Sequence, residues 1–277
     1  MLFWGNEQVL WLAVASVLII SLLLIRVGIA HFQREYLLGR EIDNLNVRWM
    51  WRMFWANFTG DARSLGAWYR GVLGATMRRI LPALLYMVLI AAATSWLSYG
   101  WIMQNVSETV ALASPEDLTN LEKRVREIPE LENIREHISA PFLFMNNTRA
   151  VAIIFLAGLV SFSVLGILIY MLNIGLIGGV FAMLELLGLQ PAPLFLAGVA
   201  PHGVFELPAL MIGSAAALYF GAAIVTPQTG KSMGEVLLEL LADWARIFIG
   251  LVVPLLVIAA VIEAYITPAI LLGVLSR

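Results

Sequence analysis

Long apolar runs separated by polar stretches form the dominant pattern of this sequence. The runs cover residues 9–29, 80–103, 150–172, 174–189, 201–223 and 247–271, the fourth being short. A helix needs about 20 predominantly apolar residues to cross the hydrocarbon core of a bilayer. The pattern therefore predicts an all-α fold, a polytopic transmembrane helical bundle with about six spans.

The apolar stretch 190–200 interrupts this regular pattern before the fifth span. It is too short to cross a bilayer, and it contains Pro191 and Pro193. Irregular backbone at membrane depth has to be shielded by protein or by water. We therefore expect a buried hairpin or a broken helix here, a re-entrant element, followed by a span that starts at Pro201. Proline at a first helical position sacrifices no hydrogen bond.

Two polar segments have the pattern of amphipathic helices that lie in the membrane interface. Residues 31–79 interleave eight arginines with tryptophan and phenylalanine, against four acidic residues. In the second segment, at about 230–246, one helical face is apolar and the other acidic. The apolar face holds Met233, Val236, Leu237, Leu240, Leu241 and Trp244, and the acidic face holds Glu235, Glu239 and Asp243.

The charges beside the spans predict the orientation of the chain. Basic residues next to spans mark the cytoplasmic side, so we expect residues 31–79 and 224–246 to be cytoplasmic. Both termini and the acidic segment 104–147, which we expect to be helical, are then extracytoplasmic. The chain is thus divided into an N-terminal span (1–30), the cytoplasmic segment 31–79, a second span (80–103), the acidic segment (104–147) and a bundle of four spans (148–277).

Composition supports the membrane interpretation and excludes several classes of protein. The chain has 277 residues, of which 61% are hydrophobic and 13% charged, whereas soluble domains are about 45–50% apolar and about 25% charged. We expect a multi-pass protein of the cell membrane, in contact with lipids. The absence of cysteine excludes disulfides and thiolate metal sites. The net charge of −2 gives no reason to expect nucleic acid.

Ionisable side chains in the spans are the candidate functional residues, because each costs about 2.5–3.5 kcal/mol on insertion. His202 and Glu206 stand four residues apart and share a helix face. They belong to a Pro-His-Gly-x-x-Glu-x-Pro motif made by Pro201, His202, Gly203, Glu206 and Pro208. Glu185 lies in the fourth span.

Three interpretations of this polar cluster remain open. In the favoured one, His202 and Glu206 bond each other or loop carbonyls and lock the broken element. In the second, they line a proton or transport path with Glu185. In the third, they hold a metal ion with Glu185 in an intramembrane enzyme, although the His-Glu-x-x-His pattern of helical zinc sites is missing. We therefore expect no metal or other cofactor, with His202 and Glu206 as the only metal candidates.

Other polar residues have simpler expectations. Glu185 pairs with His202 or Arg149, or is exposed near the outer surface. Glu263 is expected to be solvated. Asn146, Asn147 and Arg149 at the head of the third span are expected to cap the helix and anchor it at the interface, with a ligand site as the alternative.

Three short segments carry a resemblance to a known family. They are Asn146-Asn147-x-x-x-Val151-Ala152, Asn173-Ile-Gly175 and Pro201-His202-Gly203-Val-Phe-Glu206-Leu-Pro208-Ala209. In this order they resemble the stage II sporulation protein M family, over roughly residues 60–270. The resemblance implies a polytopic membrane protein without established enzymatic activity, whose namesake acts as a scaffold for peptidoglycan-degrading partners. Residues 25–38, in contrast, resemble the end of an ABC exporter permease.

We therefore expect a non-enzymatic scaffold or accessory subunit of a membrane complex. No nucleotide-binding loop or nucleophile motif is present. The two resemblances imply ABC-type transporter subunits or cell-envelope enzymes as its partners. A transport subunit is the alternative, and an intramembrane metal enzyme a more distant one. The small residues Gly175, Gly178 and Gly179 favour close helix approach, either in a homo-oligomer or within one chain.

Overall fold

The computed structural model describes residues 7–38, 46–106, 139–226 and 230–275. The regular structure in these ranges is helical throughout. The helices are α1 (Glu7–Leu38), α2 (Val47–Thr59), α3 (Leu65–Asn105), α4 (Ala140–Ser161), α5 (Val164–Leu186), α6 (Pro191–Gly198), α7 (Ala200–Ile224), α8 (Met233–Tyr265) and α9 (Thr267–Leu275). Most of the acidic segment 104–147 lies outside the described residues.

Five of these helices, α3, α4, α5, α7 and α8, are long and apolar enough to cross a membrane. This confirms the predicted fold class, a polytopic helical bundle. Within α1 the apolar helix over Val14–Arg26 is shorter than a full span, so the N-terminal span stays a prediction. The orientation of the termini and of the polar segments also stays a prediction.

The boundary between the third and fourth spans lies elsewhere than the hydropathy suggests. We expected a break near Asn173, but this was wrong, because Asn173 lies inside α5. The turn is formed by Phe162 and Ser163, at φ 51° and 76°, a left-handed conformation that is uncommon without glycine. The Ser163 hydroxyl donates to the carbonyl of Ala217 at 2.6 Å. A Cβ at Gly221 would overlap Phe162 and Ser163, so tertiary contacts hold this turn.

Two helices continue through segments that the sequence divides. α8 begins with a capping box between Ser232 and Glu235 and runs without a break through the expected interfacial helix and the last span. α3 likewise starts at Leu65 rather than at residue 80. Each contains a π-helical stretch, Trp68–Leu73 in α3 and Phe248–Val252 in α8.

The broken element before the fifth span is confirmed as a broken helix. α6 ends at Gly198 and α7 begins at Ala200, so that only Val199 lies between them. The Gly203 amide still donates to the Val199 carbonyl at 2.8 Å. Pro191 and Pro201 each lie in the first turn of a helix, and no hairpin forms between these two helices.

The chain divides into two compact units, each built from several segments. The first comprises Met1–Tyr86, Val151–Ile169 and Met211–Val252. An aromatic stack lies in its core, in which Phe155 packs on Trp244 with ring centroids 3.8 Å apart. Trp244 in turn stacks on Phe248, at 4.7 Å. α2 lies against the N-terminal part of α8.

The second unit comprises Met87–Ala150, Tyr170–Leu210 and Val253–Arg277. Here α5 packs against α3 through small residues. A Cβ at Gly178 would overlap the backbone of Ser95, and Gly175 lies against Thr94. The Ser95 hydroxyl donates to the Ile174 carbonyl at 3.4 Å. The glycine face is therefore used for packing within one chain, while self-association stays a prediction.

We expect Gly178→Ala to destabilise the protein by about 1–3 kcal/mol, because an added methyl group cannot fit without backbone movement. Gly100→Ala is the matched control, since a Cβ there meets no atom within 4 Å and alanine favours the helix by about 0.8–1.0 kcal/mol. Thermal unfolding of both variants in detergent checks this. Equal melting temperatures of the two variants would show that there is room for a methyl group between Gly178 and the Ser95 backbone.

Candidate functional site

His202 lies in the first turn of α7, immediately after the break between α6 and α7. Its imidazole Nδ1 is 3.2 Å from the hydroxyl of Thr267, the first residue of α9. Thr267 is buried, and the His202 side chain is only 12% exposed. The broken helix therefore places an imidazole in a largely enclosed environment, with one ring nitrogen already held.

Two carboxylates lie near the His202 imidazole. His202 Nε2 is 4.0 Å from Glu206 Oε2. One ligand atom from each of His202, Glu206 and Glu263 lies within 4.8 Å of the others. We call these three residues the His202 cluster. They come from two helices of the same unit, because Glu263 lies near the end of α8.

Asn147 on α4 borders the His202 cluster. Its side-chain amide interacts with Glu206, although its nitrogen is buried and makes no hydrogen bond within normal distance limits. The sequence interpretation of Asn146, Asn147 and Arg149 as caps was wrong. α4 begins at Ala140, and the Ser139 hydroxyl accepts a hydrogen bond from the third residue of the helix at 3.4 Å.

Two acidic residues are placed differently from expectation. Glu263 was expected to be solvated, but it is half-buried within the His202 cluster. Glu263 and Thr267 stand four residues apart. Two helical residues at this spacing share a face, so the sequence already indicated that they could lie together. Glu185 was expected to pair with His202 or Arg149, or to be exposed. It is exposed, and it accepts a hydrogen bond from the Tyr99 hydroxyl at 2.7 Å.

Sequence reasoning missed a second polar group, in the other unit. Asp243 was placed on the acidic face of an interfacial helix, but its side chain is buried, at 5% exposed. Its carboxylate accepts hydrogen bonds from Arg246, from Thr76 at 3.1 Å and from Arg79 at 3.1 Å. We call these four residues the Asp243 network. The spacing of three between Asp243 and Arg246 in an otherwise apolar stretch was the available signal.

The Asp243 network also holds α2 in place. Arg246 Nε donates to the Phe58 carbonyl at 3.1 Å, and the Trp68 indole donates to the same oxygen at 2.8 Å. The Tyr69 hydroxyl donates to the Gly250 carbonyl at 3.2 Å and so joins the two π-helical stretches. One backbone carbonyl near the end of α2 is thus fixed by donors from α3 and α8.

We expect Asp243→Ala to cost about 3–5 kcal/mol of stability, because it leaves the buried Arg246 without its counter-charge. Glu239→Ala is the control. It removes the partner of Lys231 at a more exposed pair, which is worth about 0–1 kcal/mol. Thermal unfolding in detergent measures both.

A double substitution separates lost charge balance from lost packing. Replacing both members, Asp243→Leu with Arg246→Met, should restore part of the stability, since a well-packed apolar pair can substitute for a buried ion pair. No recovery in the double variant would contradict the charge argument.

Comparisons with known proteins agree with this architecture. The family model described as Stage II sporulation protein M matches residues 80–268. An uncharacterized protein of Methanocaldococcus jannaschii is 25% identical over 177 residues, which are 62% of this chain and 90% of that protein. No solved structure matches significantly. The match spans more than half of the chain and includes the His202 cluster, so this protein belongs to the Stage II sporulation protein M family of integral membrane proteins.

Proposed function

We propose that this protein is a non-enzymatic membrane subunit that holds a cytoplasmic partner through α2. The partner class that fits best is an acidic surface on a soluble subunit of an ABC-type transporter or of a cell-envelope complex. The observation that carries the proposal is the attachment of α2. Its end is fixed to the bundle by Arg246 and Trp68, while much of its surface faces outward.

The free surface of α2 has the chemistry of a recognition site. Arg48 and Arg52 are exposed, and so are Trp51 and Trp55, at 62% and 40%. The helix contains no acidic residue. Tryptophan and arginine are the residues most enriched at interface hot spots. A fixed helix that presents both loses little conformational freedom when a partner binds.

The buried Asp243 network supports a mechanical role for α2. It joins α8 to α3, and Arg246 extends it to the carbonyl of Phe58. A partner bound to α2 would therefore act on two long helices and not on a loose surface segment. The alternative is that the exposed face of α2 rests on lipid headgroups, as interfacial helices do.

A transport subunit remains the second candidate function. It is favoured by one observation, the convergence of three ionisable side chains of the His202 cluster within a bundle of apolar helices. Such residues often mark ion or proton paths. Glu185, which we expected on that path, is instead bonded to Tyr99. A metal-dependent enzyme is the least supported candidate, since the chain has no catalytic motif of that kind.

We expect Arg52→Glu to weaken the native complex about tenfold or more, because reversing an interface charge replaces attraction by repulsion. The complex would be isolated from native membranes in mild detergent through a tag on this chain, and its size followed by native electrophoresis. Arg63→Glu is the matched control, since it makes the same change at an exposed arginine outside α2.

Two results would contradict the proposal. One is a wild-type chain that stays monomeric and without partners in mild detergent. The other is a complex that loses the same amount of partner in both variants, or in neither. Added salt should weaken the wild-type complex, because exposed charge pairs are screened. A third outcome would assign α2 to the lipid surface. In that case neither variant forms a protein complex, and Arg63→Glu still binds vesicles of anionic lipid whereas Arg52→Glu does not.

A further inference from the structure

We propose that the His202 cluster binds one divalent transition-metal ion of the zinc type. The ligands are His202 Nε2 and one carboxylate oxygen each from Glu206 and Glu263. This inference goes beyond the proposed docking role, because it concerns a different unit of the chain and a different ligand.

The geometry needs little adjustment to hold an ion. The three ligand atoms lie within 4.8 Å of one another, and the His202–Glu206 pair is at 4.0 Å. Zinc binds nitrogen and oxygen at about 2.0–2.2 Å in tetrahedral geometry, which sets its ligands about 3.3–3.6 Å apart. The ligand atoms would have to come about 1 Å closer together to reach that spacing.

The imidazole is already oriented as a ligand. A histidine that binds a metal usually donates its other ring N–H to a neighbouring acceptor, which fixes its tautomer and its direction. Here Nδ1 is 3.2 Å from the hydroxyl of the buried Thr267. With the proton on Nδ1, the lone pair of Nε2 points toward Glu206.

The charge of the His202 cluster also favours a cation. If both carboxylates are ionised and the imidazole is neutral, the cluster carries two negative charges, and unbalanced charge among apolar helices is costly. The described contacts of the cluster supply a hydroxyl and an amide but no lysine or arginine. A divalent ion would neutralise the group and bind all three lone pairs.

The donor set decides the class of ion. Imidazole suits zinc, copper, iron and nickel, whereas carboxylates also suit magnesium and calcium. A site with one imidazole and two carboxylates therefore favours ions of the zinc type over magnesium or calcium. Bound there, the ion would link the start of α7 to the end of α8 and so fix the broken helix. The side chain of Asn147 borders Glu206.

Zinc chloride titrated into the purified, chelator-treated full chain in detergent tests the proposal. Isothermal calorimetry should find one saturable equivalent of zinc, and the melting temperature should rise with zinc but not with an equal concentration of magnesium. Glu263→Gln should weaken zinc binding at least about tenfold. Glu185→Gln is the matched control, because it makes the same change at an exposed glutamate bonded to Tyr99, and it should bind like the wild type.

Thr267→Val provides a second variant that keeps all three ligands. It should weaken zinc binding about 10–100-fold, as loss of an outer partner of a ligating histidine does. If Glu263→Gln does not fold, this variant decides the question. Two results overturn the proposal. One is the absence of saturable zinc binding to the wild-type chain. In that case the three residues of the His202 cluster would only share protons with one another. The other is equal binding by wild type and by whichever of these two variants folds.

Discussion

A carboxylate enclosed by apolar helices needs hydrogen-bond donors around it. Asp243 shows how this chain supplies them. Its two oxygens accept hydrogen bonds from Arg246, Thr76 and Arg79. Because an unmatched charge in such surroundings costs several kcal/mol, the helices that bring these partners are held to each other. The position of α2 depends on the same network, since Arg246 also binds the carbonyl of Phe58.

The Asp243 network and the His202 cluster differ in charge balance. The Asp243 network holds one carboxylate and two guanidinium groups, so positive charge more than balances the buried carboxylate. The His202 cluster holds two carboxylates and an imidazole, and in the described part of the chain a hydroxyl and an amide lie beside them. The Asp243 network therefore has the properties of a structural contact that holds helices together. The His202 cluster brings three potential ligand atoms within 4.8 Å of one another, and the proposed cation site rests on that arrangement.

The family match also separates the two proposals. It covers residues 80–268, so the His202 cluster and its neighbours Asn147 and Thr267 lie inside it, whereas α2 lies outside it. A cation site would thus belong to the part of the chain shared with the family. The docking surface on α2 would be a feature of the preceding segment, which the family model does not include.

The sequence alone determined that this is a helical membrane protein, because the length and apolarity of its runs leave no soluble alternative. It also placed the break before α7, since prolines restrict the backbone wherever they occur. Tertiary structure decided the rest. The turn at Phe162 and Ser163 depends on space beside Gly221, and the burial of Asp243 depends on an arginine and a threonine from other turns and helices. Hydropathy records what each residue prefers on its own, whereas convergence of Glu263 on His202 arises only when α7 and α8 pack.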